Sequence, residues 1–300
     1  MKIKPDLYLK GVFMGIAEII PGVSGGTIAF ITGIYEELID SIKSFNSRSL
    51  KLLLTLKFSS FWKEINGSFL ITLILGMLTS ILILSRFIVY LIDYHPFKIW
   101  GFFFGLIIAS SILIFYQIQK LSITVFLSSV IGLSISSYIA LQAPSSTPNT
   151  NFFIFISGAI AISAMILPGI SGSFILVFLS KYEFILKALN SFDTAVISIF
   201  LVGCIVGLVT FSRVFSYLFK KYNDVVISVL IGFLFGSLFK IWPFYEVLEY
   251  NSANEPIYTS PILPTANQSN DLVFFFTFGV IGFVSMWVLE KKFIGLNKEI

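Results

Sequence analysis

The sequence Glu18-Ile19-Ile20-Pro21-Gly22-Val23-Ser24-Gly25-Gly26-Thr27 interrupts an apolar stretch that runs from residue 9 to residue 42. Proline removes a backbone donor and glycine tolerates positive φ, so a helix is expected to break at Pro21 and Gly22. Each arm beside the break is about 12–18 residues long, whereas a helix that crosses a membrane needs about 20 apolar residues. The stretch therefore predicts a re-entrant hairpin, which enters a membrane and returns to the same face.

Composition supports a membrane setting. Of the 300 residues, 56% are hydrophobic and only 12% are charged, whereas soluble domains carry about 25% charged residues. The net charge of +4 is too small to indicate a nucleic-acid partner. The single cysteine, Cys204, excludes a disulfide, the single histidine, His95, lies in a short turn, and no nucleotide, haem or zinc signature is present. No cofactor or metal is predicted.

Six other stretches have the length and apolarity of membrane-crossing helices. They are Phe69–Ile92, Phe97–Ile118, Leu121–Leu141, Thr194–Leu218, Val225–Tyr245 and Leu272–Leu289. A further stretch, residues 151–189, is too long for one helix and carries its own break at Pro168 and Gly169. The sequence thus predicts an all-α polytopic membrane protein with two re-entrant hairpins and six spans.

The distribution of basic residues tests the hairpins, because cytoplasmic loops carry an excess of lysine and arginine. If both hairpins return to the face from which they start, fourteen basic residues share the face of the N-terminus and four lie on the opposite face. The four are Lys98, Lys181, Lys187 and Lys240, and only Arg86 and Arg213 remain inside spans. This segregation predicts that both termini are cytoplasmic. The basic start of the chain is interpreted as a retained segment rather than a cleaved signal peptide.

The two halves of the chain, residues 1–150 and 151–300, resemble each other. An offset of 147 aligns Pro21 with Pro168 and continues through Ser24/Ser171 and Tyr35/Tyr182, while an offset of 127 aligns Arg86 with Arg213 and Tyr90 with Tyr217. Gly101-Phe-x-x-Gly105 matches Gly232-Phe-x-x-Gly236, and Val130-Ile-Gly132 matches Val280-Ile-Gly282. Each half contains a hairpin and three spans, and three is odd, so the halves are predicted to be inverted. Inverted repeats with broken helices indicate a transporter whose site lies at the repeat interface.

Small polar residues follow both breaks. Ser24 and Ser171 are predicted to be N-caps of the second arms. The residues expected to present free backbone N–H groups at the helix starts are Gly25, Gly26 and Thr27 in the first half and Gly172 and Ser173 in the second. A helix start favours anions, so two facing hairpins predict a phosphate or carboxylate site. The alternative is that the small residues only allow close helix packing.

Three charged residues are candidates within the apolar stretches. Arg86 and Arg213 suit phosphate oxygens, although snorkelling to the lipid headgroups is an alternative for both. Glu18 is the acid of the first arm, and its counterpart in the repeat is Met165, so it is a candidate to bind a coupling proton; a glutamate bonded to the backbone is the alternative. Nothing resembles a nucleophile–base pair or a metal cluster, so the chain is predicted not to be an enzyme.

The Glu-Ile-Ile-Pro-Gly-Val-Ser-Gly-Gly-Thr segment, its partner Leu-Pro-Gly-Ile-Ser-Gly-Ser and the paired Ser-Arg sequences resemble a bacterial and archaeal membrane family, the polyprenyl-phosphate (undecaprenyl-phosphate) transporters. The resemblance covers essentially the whole chain. It implies that phosphate is recognised by the residues after both breaks and by Arg86 and Arg213. The second break departs from the first, because Ser173-Phe174 stands where the first half has Gly26-Thr27, which puts equal roles in doubt.

The resemblance implies a flippase in the bacterial cytoplasmic membrane, surrounded by membrane lipids. It would return undecaprenyl phosphate from the outer to the inner leaflet, where the carrier lipid is reused in cell-wall (peptidoglycan) synthesis. The residues themselves leave other functions open. A transporter or channel for a small soluble anion could use the same site, a polyprenyl-phosphate phosphatase is less well supported, and a structural scaffold would not need the site at all.

Overall fold

The computed structural model describes residues 4–19, 24–142, 147–250, 256–265 and 268–293. These residues form fourteen helices and one two-stranded sheet. The helices are α1 (Pro5–Ile19), α2 (Gly25–Ile31), α3 (Tyr35–Lys43), α4 (Ser47–Leu54), α5 (Phe58–Glu64), α6 (Gly67–Tyr94), α7 (Pro96–Phe115), α8 (Ile123–Leu141), α9 (Asn151–Ile166), α10 (Gly172–Phe178), α11 (Tyr182–Asn190), α12 (Thr194–Lys221), α13 (Asn223–Ile241) and α14 (Ser269–Phe293). The strands are β1 (Tyr245–Tyr250) and β2 (Pro256–Pro261).

Six helices have the length and apolarity needed to cross a membrane: α6, α7, α8, α12, α13 and α14. They coincide with the six predicted spans, so the chain is a multi-pass membrane protein. The prediction is wrong at residues 242–245, which were expected to continue a span. The helix ends at Ile241 because the residue before a proline, here Trp242 before Pro243, is driven out of the helical region.

The two long interrupted stretches each form three helices rather than the two arms predicted. The second arm of the first stretch ends after seven residues, where Gly33 has φ of 72°. The N–H of Gly33 donates to Phe30 and the N–H of Ile34 donates to Ala29, which is the bonding of a Schellman cap. The second arm of the second stretch ends in the same way at Ser180, with φ of 53°. The chain then restarts as α3 and α11.

The break between α1 and α2 falls partly outside the described residues, which do not include Pro21 and Gly22. The second break is described. Here α9 ends at Ile166, and Gly169 has φ of 83°, a value that suits glycine because it has no side chain. A β-carbon on Gly169 would lie 2.7 Å from the carbonyl oxygen of Phe233, so the break packs closely against the middle of α13.

Glycines allow the first helix of each interrupted stretch to pack closely against a span in the same half. Gly11 contacts residues 73–76 and Gly15 contacts residues 77–80, so α1 and α6 run in the same direction. In the second half, Gly203 contacts Phe155 and Gly207 contacts Ala159, so α9 and α12 are also parallel. Each first helix and its span therefore start from the same face of the protein.

The other spans pair across the two halves. Gly232 lies against Ser129 and Gly236 against Ser136, so α8 and α13 are parallel and in close contact. Gly101 lies against Phe275 and Gly105 against Gly279, so α7 and α14 pair in the same way. The core consequently includes residues from both halves, among them Ile107, Leu230 and Leu234. The halves form one interlocked unit.

The loop between α13 and α14 contains an antiparallel hairpin, which the all-α prediction missed. Tyr245 pairs with Pro261 and Val247 with Thr259. The aromatic and β-branched residues of Tyr245–Tyr250 favour an extended chain, but the segment lies within an acidic loop between two strongly apolar spans. The two short strands were not predicted because the apolar helices on either side dominate the sequence pattern.

Candidate functional site

The first tip is defined as residues 24–27, at the start of α2. Ser24 is fully buried, and its Oγ accepts the N–H of Gly26 at 3.0 Å while donating to the carbonyl oxygen of Met165 at 2.9 Å. It is therefore an N-cap, as the sequence predicts. Its second bond reaches α9, in the other half of the chain, so the cap also joins the two interrupted stretches.

The backbone donors of the first tip already have partners within the protein. Oε1 of Glu18 accepts the N–H of Gly25 at 2.8 Å, and the carbonyl of Ser24 accepts the N–H of Thr27 at 2.9 Å. The prediction of free N–H groups is thus wrong for this tip. Glu18 supplies the negative group that a helix start favours, and its backbone-bonded geometry is the alternative that the sequence left open.

The second tip is defined as residues 167–173, which join α9 to α10 and include the first two residues of α10. Ser171 stands at the N-cap position, but its Oγ forms no side-chain cap bond and instead lies 2.8 Å from Oγ of Ser173. Within the described residues, the N–H groups of Gly172 and Ser173 have no hydrogen-bond partner. The side chain that corresponds to Glu18 is Met165, which lies against Gly172 but offers no charge.

The structure brings the two tips into direct contact. Oγ1 of Thr27 accepts the N–H of Gly169 at 3.0 Å, in a fully buried bond between the halves. A β-carbon on Gly26 would overlap the carbonyl oxygen of Ile166. The hydroxyl of Thr27 thus holds the second tip. Its counterpart in the repeat is Phe174, which has no hydroxyl. The two tips therefore meet, as predicted.

Arg86 and Arg213 do not join the tips. Both side chains are exposed on the outer surfaces of α6 and α12, and neither has a hydrogen bond or ion pair among the described residues. Their depth nevertheless matches the tips. Gly15 on α1 faces Ser80 on the parallel helix α6. Arg86 follows Ser80 by six residues, so it is level with a point six residues after Gly15, which is about 3 Å beyond the end of α1 at Ile19. The register of α9 with α12 likewise makes Arg213 level with Met165.

A cleft that the sequence did not predict lies beside the second tip. It is small and partly open, and its walls come from the second tip, α8, α10 and α13. Ser136, Ser171 and Ser237 contribute hydroxyl groups, Ile139 and Ile170 contribute apolar surface, and Lys240 is the basic residue in the lining. We call it the Lys240 cleft. The sequence placed Lys240 near the outer end of the predicted span Val225–Tyr245 and counted it on the face opposite the termini; in the structure it belongs to the last turn of α13.

A second polar cluster lies at the far end of the molecule from the Lys240 cleft. Asp40 on α3 pairs with Lys220 on α12 at 2.8 Å, and Ser216 donates to the same carboxylate at 2.9 Å. Partial burial acts to raise the pKa of Asp40, but the hydrogen bonds from Lys220 and Ser216 and the charges of Lys220 and Lys43 outweigh it and hold that pKa below its usual value. The carboxylate therefore remains ionised near neutral pH.

In the described part of the chain, no group of three or more His, Cys, Asp or Glu side chains is close enough to hold a metal ion. The site thus consists of backbone amides, hydroxyls, one carboxylate and one lysine. Such groups can bind an anion and its apolar substituent.

Comparisons with known proteins identify relatives over most of the chain. Residues 14–257 match the family model described as undecaprenyl phosphate translocase-like. The chain is 44% identical over 252 residues to a protein of Vibrio cholerae serotype O1 named polyprenyl-phosphate transporter, covering 83% of this chain and 82% of that protein. It is 34% identical over 253 residues to a Staphylococcus aureus protein of the same name, covering 78% and 85%. No solved structure gives a significant match.

Proposed function

Because the chain belongs to the undecaprenyl phosphate translocase-like family, we propose that it transports a polyprenyl phosphate, and specifically that it returns undecaprenyl phosphate from the outer to the inner leaflet of the cytoplasmic membrane. The carrier lipid would then be reused in cell-wall synthesis. The observation that carries the mechanism is the buried contact between the two tips, beside a cleft that contains a cation.

The proposed architecture is an inverted repeat with two re-entrant hairpins and both termini in the cytoplasm. Two observations support it. Helix α1 is parallel to α6, so the chain between them must return to the face from which α1 starts, and the same reasoning applies to α9 and α12. Helix α13 is parallel to α8, which is the span after α7, so α13 runs opposite to its repeat equivalent α7. Non-helical backbone at membrane depth is acceptable because Ser24 and residues 168–171, the non-helical part of the two tips that is described, are buried in protein.

In the proposed mechanism, the phosphate headgroup enters at the tips while the isoprenoid tail stays against lipid. The second tip receives the headgroup, because Gly172, Ser173 and the Ser171 hydroxyl are less fully bonded than their counterparts in the first tip. The first tip, Ser24, Gly25, Gly26 and Thr27, supports the second through its buried bonds. Arg86 and Arg213 lie at the same depth on the outer helices, where they would attract the headgroup as it approaches from either leaflet.

Proton coupling is a finer part of the proposal and rests on Glu18. Its carboxylate is in contact with the first tip through Gly25, so a change in its protonation would alter the start of α2. A Glu18→Gln variant should transport polyprenyl phosphate without responding to a pH gradient. If this variant keeps the full response, Glu18 is not the coupling group.

The test is a flipping assay in liposomes that contain the purified protein and a labelled polyprenyl phosphate. Arg86→Ala and Arg213→Ala should each abolish flipping without loss of the folded protein, whereas Arg48→Ala is the matched control because Arg48 pairs with Glu64 in α4 and α5. Normal flipping by both arginine variants would remove them from the mechanism. Flux of inorganic phosphate with no flipping would instead support a soluble-anion transporter, and a dephosphorylated product would support a phosphatase.

A further inference from the structure

Lys240 is the basic residue of the cleft. The residue is partly buried in the last turn of α13, and its Nζ lies 4.3 Å from the centre of the Phe174 ring. In the described part of the chain no carboxylate pairs with it. A cation–π contact stabilises the ammonium group only in part, and a charge in an apolar region normally has a partner or serves a pathway.

The surroundings of Lys240 fit an anion with few charges and an apolar substituent. The hydroxyls of Ser136 and Ser237 already donate to the carbonyls of Phe233 and Leu234. The Ser171–Ser173 pair uses only one of its two hydroxyl hydrogens internally, so one remains to donate to a ligand. The cleft thus offers the Lys240 ammonium and the Ser171 hydroxyl, which can donate to a ligand when Ser173 donates within the pair, beside the apolar surfaces of Ile139 and Ile170.

The repeat supports a specific role for the cation. At the offset of 131 that aligns Gly101 with Gly232, the counterpart of Lys240 is Ala109, which is completely buried. The fold therefore accommodates an alanine at this place and does not need a lysine for packing. Among the described residues, Glu18 provides an internal anion at the first tip, whereas the cation Lys240 lies beside the second tip, where Met165 stands in the place of Glu18.

We propose that the Lys240 cleft is the phosphate-binding site, in which the Lys240 ammonium and the Ser171–Ser173 hydroxyl pair bind a phosphate monoester. That this monoester is the headgroup of a lipid rests on the proposed function. The recognition itself does not, because inorganic phosphate carries the same chemistry.

The experiment measures binding of a polyprenyl phosphate and of inorganic phosphate to the purified protein in nanodiscs. Lys240→Met should weaken binding about ten- to a hundred-fold, as expected for a lost charge-assisted hydrogen bond, and Lys240→Arg should restore most of it. Lys98→Met is the matched control, because Lys98 also lies over an aromatic ring, that of Phe274, outside the cleft.

The outcomes separate the two proposals. If the native protein flips polyprenyl phosphate and Lys240→Met binds it with native affinity, the cleft is not the site, while the proposed function stands. If binding of inorganic phosphate depends on Lys240 but no lipid is bound or flipped, the site is supported and the lipid function fails. Equal losses in Lys240→Met and Lys98→Met would show a general effect of charge and would overturn the assignment.

A second inference comes from the Asp40–Lys220 ion pair, which joins α3 in the first half to α12 in the second. In the repeat alignment, the position equivalent to Asp40 is Lys187, at the offset of 147, and the position equivalent to Lys220 is Asp93, at the offset of 127. The equivalent pair at the other end of the molecule therefore has the same two charges in exchanged positions. Lys187 bonds only to Glu183 on its own helix, at 3.5 Å, and Asp93 has no ion pair within the described residues.

Packing has the same asymmetry. Helix α3 packs extensively against α12, whereas in the described part of the chain α11 has no comparable contact with α6. In an inverted-repeat transporter with two states, equivalent contacts in the two halves close opposite sides of the protein, so one is formed in each state while the other is open. We infer that Asp93 and Lys187 pair in the opposite state, when the Asp40–Lys220 pair opens.

Cysteine cross-linking tests this exchange in a Cys204→Ala background. Cysteines at 40 and 220 and, separately, at 93 and 187 should both be joined by a short bifunctional reagent, and each cross-link should stop flipping until it is cleaved. Adding Asp40→Asn to the 93/187 protein should increase the yield at that pair several-fold. Cross-linking at 40/220 with none at 93/187, in proteins that elute as folded, would contradict the exchange.

Discussion

The first and second tips share a backbone pattern but satisfy their helix starts differently. At the first tip, Glu18 and Ser24 accept the N–H groups of Gly25 and Gly26. At the second tip, Met165 stands in the place of Glu18, and the Ser171 hydroxyl turns to Ser173. One copy of the motif has thus acquired an internal anion, and the other has not.

This difference shows how a duplicated element can divide two tasks. Buried amides need partners, and a helix start favours a negative one. The first tip obtains these partners from the chain itself and becomes a fixed support, whose Thr27 hydroxyl holds Gly169. The second tip lies beside Lys240 and can take its negative partner from outside. A pair of identical tips would either both be closed or both compete for the substrate.

The largest effect is expected from Gly26→Val, which tests the support. The added side chain would overlap the carbonyl oxygen of Ile166, and a backbone atom cannot turn away. Overpacking of this kind costs about 1–3 kcal/mol and occasionally more, and both tips should separate here. We expect loss of flipping and a clearly lower melting temperature by intrinsic fluorescence.

The control is Gly279→Ala in the helix pair α7–α14, where a β-carbon would be 3.4 Å from its nearest neighbour, an ordinary contact. This variant should melt close to the native protein. Native stability and flipping in Gly26→Val would mean that the tips do not support each other.

Met165→Glu is expected to have an intermediate effect, because it makes the second tip resemble the first. The new carboxylate would lie beside Gly172, as Glu18 lies beside Gly25, and its negative charge next to Ser171 and Ser173 would repel a phosphate. Phosphate affinity should fall about tenfold or more, a free-energy difference of about 1.4 kcal/mol. Met165→Gln has the same shape without the charge and should bind nearly normally. If the two variants bind phosphate equally well, an internal anion is not what distinguishes the tips.

Much of this arrangement is predictable from the sequence, because its signals are local or repetitive. The six spans follow from apolar runs of sufficient length, and the break at Gly169 follows from Pro168-Gly169. Alignment of the breaks in the two halves correctly predicted that the tips would meet. The Ser24 cap was also correct, since a serine before small residues at a helix start has few other roles.

The remaining features depend on contacts between distant residues. No local pattern states that Glu18 folds back onto Gly25, so the amides of the first tip were expected to be free. Lys240 was counted on the face opposite the termini because it lies near the outer end of the predicted span Val225–Tyr245. Its role becomes visible only when α8, α10 and α13 are assembled around one cleft. Arg86 and Arg213 were expected to bind the phosphate from within their spans or else to snorkel to the lipid headgroups; both side chains are exposed, and a sequence does not specify which side of a helix faces a partner.

The smallest effect is expected from Thr27→Val, which removes a single hydrogen bond between the two tips. Valine has the shape of threonine, so packing is kept while the N–H of Gly169 loses its acceptor. An unsatisfied buried donor costs about 1–3 kcal/mol, and we expect the lower end because only one group is affected. Thermal unfolding should detect this loss, and Thr27→Ser, which keeps the hydroxyl, should recover most of it. If Thr27→Ser is instead as unstable as Thr27→Val, the methyl group and not the hydroxyl supports the second tip, and the division of tasks between the tips would rest on packing alone.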